Sequence, residues 1–376
     1  MLLRIADDDR SNGRNLNHDT QDTKMKTQDI TITIAAYLAA NKNLMILGTP
    51  GMGKSAMIVE GIEQAGLSHC IINGAICDPL DSKGALFVDR EARQAHYAPI
   101  GVLNDILEGK VDVVVLDDLT QSPMAMQNAF MQWVQARMIG DRKIPDHVRF
   151  VAAGNRPEDR AGVQQMSAAL SDRFTIIHGE PDHQAWVAWA ISADLDPRII
   201  SFVARKNGDG FCDQGVPKTF GQAVPTARGY ERCSDILAMQ MPANVQRECF
   251  VGAIGEGFTC ELMGHLAVCD SLPDYNDILD NPEAADIPTG ANVLFALSNA
   301  LLRAVLADDA RSQSAFRYLE RMCEDGQLEI ATFAIQTIQQ VDRLTAKKTG
   351  KKANHLTGAA FNSLVLNHIK HMLHGE

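Results

Sequence analysis

Short apolar runs separated by polar, glycine-containing joints dominate the chain between about residues 30 and 180. Asn43-Leu44-Met45-Ile46-Leu47, Cys70-Ile71-Ile72-Asn73, Val148-Arg149-Phe150-Val151-Ala152-Ala153 and Phe174-Thr175-Ile176-Ile177-His178 each have the length of a strand. Val111-Asp112-Val113-Val114-Val115-Leu116 is the strongest β signal, because a mostly β-branched run without alternation suits a parallel strand buried on both faces. Helical spacing lies between these runs, over 30–40, 56–60, 102–107 and 123–137. Two further stretches, 86–97 and 137–145, read as hairpins, the second turning at Gly140-Asp141. Strands alternating with helices predict an α/β sheet with right-handed crossovers. Beyond about 184 the pattern turns helical, with Gly/Pro-rich joints at 207–229 and 272–290 and helical stretches at 293–297 and 330–335. No internal repeat stands out.

Composition narrows the function classes. The chain has 376 residues, enough for two or three domains. Its net charge of −12 argues against a surface that coats nucleic acid, although a local basic loop remains compatible with it. Lys347-Lys348-Thr349-Gly350-Lys351-Lys352 reads as a solvated loop or, alternatively, a nucleic-acid contact. No apolar run is long enough to span a membrane, and the N-terminus lacks a secretory pattern. The eight cysteines are scattered without C-x-x-C or zinc spacing, as expected of thiols in a reducing cytoplasm. Residues 1–24 are polar and aperiodic and read as a disordered leader. Met25 opens the patterned chain, so it is either the true start or the end of a real flexible tail.

Candidate chemistry begins at Gly48-Thr49-Pro50-Gly51-Met52-Gly53-Lys54-Ser55, which fits G-x-x-x-x-G-K-[ST]. Glycines let successive backbone N–H groups turn onto phosphate oxygens. Lys54 then reaches the β- and γ-phosphates, the Ser55 hydroxyl takes a place on Mg²⁺, and the helix opening at Ala56 offers its positive end to the same anion. A strand before the loop and a helix after it are the context the motif requires, and together they predict binding of a nucleoside triphosphate. Asp117 and Asp118 close the strongest strand, and ligands in open α/β sheets bind at the carboxyl ends of strands. Asp117 is the expected outer carboxylate for Mg²⁺, and Asp118 the group that orients the attacking water. The plainer alternative is that the pair caps the next helix.

With these residues in place, the chain resembles an AAA+ ATPase. The phosphate loop, Val113-Val114-Val115-Leu116-Asp117-Asp118, Gly154-Asn155, Ser171-Asp172-Arg173-Phe174 and Pro225-Thr226-Ala227-Arg228 occur in that family's order. The two hairpins, Val251-Gly252-Ala253-Ile254-Gly255 and Leu272-Pro273-Asp274-Tyr275-Asn276-Asp277-Ile278-Leu279 resemble its MoxR branch, and the likeness covers about 28–290. The resemblance implies that Asn155 is sensor 1, Arg173 the arginine finger given to a neighbouring subunit, and Arg228 sensor 2. Arg156 and Arg160 are alternative fingers. A surface pair with Asp172 is the plain reading of Arg173, and a Gly-Asn turn that of Asn155. The second acid of the family is usually Glu, so Asp118 puts fast hydrolysis in doubt.

The implied domains are a leader at 1–26, an α/β nucleotide-binding core at 27–182, a helical lid at 183–290 and a helical extension at 291–376. The implied function is ATP hydrolysis with Mg²⁺ at the subunit interfaces of a homohexameric ring in the cytoplasm. That hydrolysis would remodel or mature a protein, with a partner bearing a von Willebrand factor A domain. The hairpins would face the pore or that partner, with Arg142-Lys143 at the second tip. A DNA-directed motor and an ATP-gated assembly module with little turnover are the alternatives.

Overall fold

The computed structural model describes residues 24–91, 93–159, 162–164, 166–212, 221–270, 275–307, 309–349 and 355–369. The leader through residue 23, Arg160, the basic residues after 349 and the segment 271–274 lie outside them.

Five parallel strands form the central sheet: β1 (Leu44–Leu47), β2 (His69–Asn73), β5 (Val113–Asp117), β8 (Arg149–Gly154) and β9 (Thr175–His178), in the order β2-β5-β8-β1-β9. Antiparallel hairpins β3 (Ala85–Asp89) with β4 (Gln94–Ala98), and β6 (Met138–Ile139) with β7 (Arg142–Lys143), stand outside it, as the turn signals predict. The sheet has a layer on each face, which is why its strands are apolar without alternation. Met45, Val114, Leu116, Phe150 and Ala152 pack with α4 (Val102–Leu107) and α5 (Met124–Met131). Leu44, Ile46, Val113, Val115, Val151 and Ala153 face α1 (Thr27–Ala39), α2 (Lys54–Gln64) and the helices that follow the sheet.

Two departures from the sequence pattern have physical causes. The strand predicted from Val111 starts at Val113, because the Asp112 carboxylate accepts from Ser68 N (2.8 Å) and Ser68 Oγ (2.7 Å) and ties the chain before β2. The helix predicted over 123–137 is regular only to Met131 and ends in a wide turn over Gln132–Ala136. There Trp133 Nε1 donates to Ser82 O (3.0 Å) of α3 (Pro79–Lys83). Arg137, in the left-handed region at φ 57°, donates to Val148 O (2.8 Å) and to Pro145 O, fixing the base of the second hairpin.

After α6 (Ala168–Ser171) and β9 the chain is helical, through α7 (His183–Ser192), α8 (Pro197–Lys206), α9 (Ala227–Ala238), α10 (Ala243–Ile254) and α11 (Glu256–Asp270). Side chains of Asp182, Asp196 and Thr226 cap α7, α8 and α9 by accepting from Ala185, Arg198 and Gly229 N–H groups. Next come α12 (Tyr275–Asp280), α13 (Ala291–Ala307), α14 (Asp309–Glu324), α15 (Leu328–Thr349) and α16 (Ala359–Leu364). They enclose a core of their own, centred on Leu297, Leu301, Phe316, Leu319 and Ile335, to which Ile278 and Leu279 of α12 belong. Buried Glu320 accepts from Arg317 (2.6 Å), Ser363 (2.5 Å) and Asn367 (3.3 Å), joining α16 and the turn after it to α14. α13 packs on α8 and α15 on α7, so this helical part rests on the one before it. The fold is thus a P-loop α/β core followed by a helical extension. Among the described residues, no helix is long and apolar enough to cross a membrane.

Candidate nucleotide-binding site

The loop from 48 to 55 joins β1 to α2 at the carboxyl edge of the sheet. Its glycines are needed for two different reasons. Gly51 has φ 76°, and a Cβ there would lie 2.9 Å from Thr226 Cβ; Gly53 has φ 97° with open space around it, so the backbone angle alone excludes a side chain. Gly53 N-caps α2 and places Lys54 and Ser55 in its first turn.

Lys54 is only 7% exposed. Its ammonium donates to Gly48 O (2.9 Å), Thr49 O (3.0 Å) and Asn155 Oδ1 (2.8 Å), so the loop carbonyls and β8 hold it inward. Burial lowers its pKa to about 8, against the upward pull of Asp118, Asp117 and Asp159 and with a smaller downward push from Arg156. A cation so poorly compensated is set to gain from an incoming polyphosphate.

Ser55 Oγ donates to Asp117 Oδ2 at 2.8 Å, which joins the loop to the end of β5. Two oxygen ligands thus stand together where Mg²⁺ is expected. Among the described residues no cluster of three or more His, Cys, Asp or Glu could hold a metal unaided. A hydroxyl and a carboxylate are hard oxygen donors, and such a pair fits an ion that completes its shell with phosphate oxygens and water, as Mg²⁺ does. Asp117 Oδ1 also accepts from Asp118 N (3.0 Å). Asp118 itself sits in the left-handed region at φ 51°, and its Oδ2 accepts from Asn73 Nδ2 at 3.2 Å. Its side chain does not cap the short helical turn that follows, at Leu119–Gln121.

Asn155, directly after β8, is 6% exposed. Besides accepting from Lys54, it donates through Nδ2 to Gln121 Oε1 (3.1 Å), and its backbone N–H donates to Thr120 Oγ1 (2.9 Å). Its amide is thereby pinned from both ends. Sequence reasoning missed Asn73, Thr120 and Gln121. A signal for Asn73 existed: it is the polar last residue of the strand beside β5, and it falls in register with Asp117.

The arginines separate. Arg156 folds onto its own phosphate loop, donating from Nη2 to Thr49 Oγ1 at 2.8 Å. Arg173 lies away from the loop, at the entry to β9, its side chain 35% exposed and paired at 2.5 Å with the exposed Asp172. Arg228 is exposed in the first turn of α9, two residues after Thr226, whose side chain abuts Gly51. Cys212 strengthens the same junction, which no motif announced. Its thiol accepts from Ala227 N (3.2 Å) and donates to Gly51 O (3.8 Å), so the start of α9 is held on the phosphate loop.

No protein-family model matches the sequence, and no curated protein matches it. Among solved structures the chain is similar to a protein from Cytophaga hutchinsonii assigned as an ATPase, at 14% identity over 73% of this chain and 74% of that one, with a TM-score of 0.32. It is similar to NtrX from Brucella abortus in complex with ADP, at 15% identity, 86% coverage and a TM-score of 0.36, and spans 65% of NtrX. A RuvB variant from Thermotoga maritima matches at 15% identity over 73% of this chain and 80% of that one, with a TM-score of 0.34. At these TM-scores none of the three bears on the chemistry.

Proposed function

We propose that the chain is a Mg²⁺-dependent AAA+ ATPase of the MoxR branch. One observation supports the ATPase part of this reading: Lys54, Ser55, Asp117 and Asn155, from three separate stretches of sequence, are joined by 2.8 Å hydrogen bonds at one edge of the sheet. The MoxR part rests on the resemblance of the sequence. Residues 48–56 bind the phosphates, and Mg²⁺, when bound, would supply positive charge beside them. Ser55 and Asp117 hold the ion. Asp118 takes the proton of the attacking water, Asn155 positions that water against the γ-phosphate, and Arg228 closes on the nucleotide from α9.

Arg173 is the arginine finger in this reading, since a guanidinium 35% exposed and paired, among the described residues, with the exposed Asp172 can be exchanged onto a neighbour's nucleotide. The site is then completed by a second copy in a cytoplasmic homohexameric ring. The ring acts on a protein substrate together with a partner bearing a von Willebrand factor A domain. The experiment is phosphate release from Mg²⁺·ATP by the full chain, with specific activity expected to rise with protein concentration. A nucleotide-gated assembly module is the second reading, favoured by an Asp118 that is short and turned onto Asn73; ATP binding without phosphate release would select it.

Lys54 gives this reading a pH signature. Bound triphosphate favours the charged ammonium, so the complex keeps a proton that the empty chain sheds above its pKa of about 8. ATP affinity is expected to be full below that pH and to fall as pH rises through it, by up to about tenfold per unit. Calorimetric titration across the range would check this, with proton uptake visible as a dependence on buffer ionisation heat. An affinity flat through pH 8 to 10 (a range of about two units) would contradict it.

A further inference from the structure

Arg156 is a cation of the site whose role the motif reading leaves open. Its side chain is 14% exposed and is fixed by Asp159, 3% exposed, which accepts from Nη2 (2.8 Å) and Nε (3.0 Å) and from the backbone N–H of Arg156 (3.2 Å). Nη2 also donates to Thr49 Oγ1 of the phosphate loop. A guanidinium held by Asp159, by Thr49 of the phosphate loop and by an ion pair with Glu158 (3.4 Å) is not available to a neighbouring subunit. Its remaining nitrogen, Nη1, makes no hydrogen bond among the described residues. Arg156 follows Asn155, which holds Lys54, and its charge helps depress the proton affinity of that lysine. Two cations therefore converge on the same end of the phosphate cradle.

We propose that Arg156 reads the γ-phosphate of the nucleotide bound to its own chain, and so sets the preference of the site for triphosphate over diphosphate. This rests on the ATPase reading above. The buried Asp159 carboxylate presents the fork, Thr49 places it on the loop, and Nη1 supplies the donors for a terminal phosphoryl oxygen that a diphosphate lacks. One or two charge-assisted bonds of this kind correspond to about tenfold to a hundredfold in affinity.

The test compares affinities of the full chain for ADP and for the non-hydrolysable imido analogue of ATP, each with Mg²⁺. Arg156→Gln is expected to weaken analogue binding by at least about tenfold and ADP binding by less than about threefold. Arg156→Lys, which keeps charge without the fork, should restore part of the difference. Because Arg156→Gln strands a buried carboxylate, Arg156→Gln with Asp159→Asn provides a variant without that liability, and it should lose the same preference. Equal losses for the two nucleotides would overturn the inference in favour of simple loop support. Unchanged affinities with lost turnover would overturn it in favour of a finger acting on a neighbour. A wild-type chain that binds neither nucleotide would overturn the ATPase reading, and the inference with it.

Discussion

Lys54→Ala is expected to lower ATP affinity by about a hundredfold or more while changing the stability of the empty chain little. The two effects separate because the hydrogen-bond acceptors of the lysine within the chain are neutral, whereas a polyphosphate is charged. Its ammonium is buried, satisfied by two backbone carbonyls and one amide oxygen, and held at a pKa of about 8. Desolvating a cation costs free energy that these neutral acceptors only partly return. Deleting it removes three hydrogen bonds and a desolvated charge together, and the two terms oppose each other. With polyphosphate bound, the same ammonium meets full negative charge in a poorly solvated cleft, where charge-assisted bonds are strongest. Calorimetric titration beside a thermal melt checks both halves. Retained ATP affinity would remove the loop from nucleotide binding, and a collapsed melt would make Lys54 a folding residue instead.

Asp118→Asn is expected to keep ATP bound while turnover falls by about two to four orders of magnitude, the usual contribution of a positioned general base. The amide has the shape of the carboxylate and can still accept from Asn73 Nδ2, so the left-handed turn at φ 51° has no reason to move. What disappears is the capacity to take a proton from water. A second consequence links this residue to Lys54. Asp118 is the first of the carboxylates that hold the lysine charged against burial, so its neutralisation lowers the Lys54 pKa further. The fall of ATP affinity with rising pH should then begin at lower pH in Asp118→Asn than in the wild type. Single-turnover phosphate release and titrations at several pH values would check the two parts. Undiminished turnover would take Asp118 out of the chemistry.

The parts of the site legible in the sequence were those fixed by local backbone geometry. A phosphate loop needs glycines at Gly51 and Gly53, a strand buried on both faces needs an unbroken apolar run, and the acids must follow that run; each demand marks neighbouring residues. Asn73 and Gln121 meet their partners only through strand order and a short turn, and single polar residues at such positions look like any loop residue. Arg156 was visible as a candidate finger, but its direction depends on a hydrogen bond to Thr49, 107 residues away. The contact between Thr226 and Gly51, and the thiol of Cys212 between them, join segments whose proximity no periodicity records. A scattered cysteine reads as a buried or idle thiol; this one is buried, at 3% exposed, and is also bonded to two backbones. The extra wide turn after α5 is set by Trp133 and Arg137 reaching α3 and the second hairpin, again beyond local reach.

A site shared between copies of the chain is read out by steady-state phosphate release per chain over a range of protein concentrations, with Arg173→Ala alongside. Specific activity should rise with concentration in the wild type and be lost in Arg173→Ala while ATP stays bound. Activity independent of concentration and untouched by Arg173→Ala would contradict it.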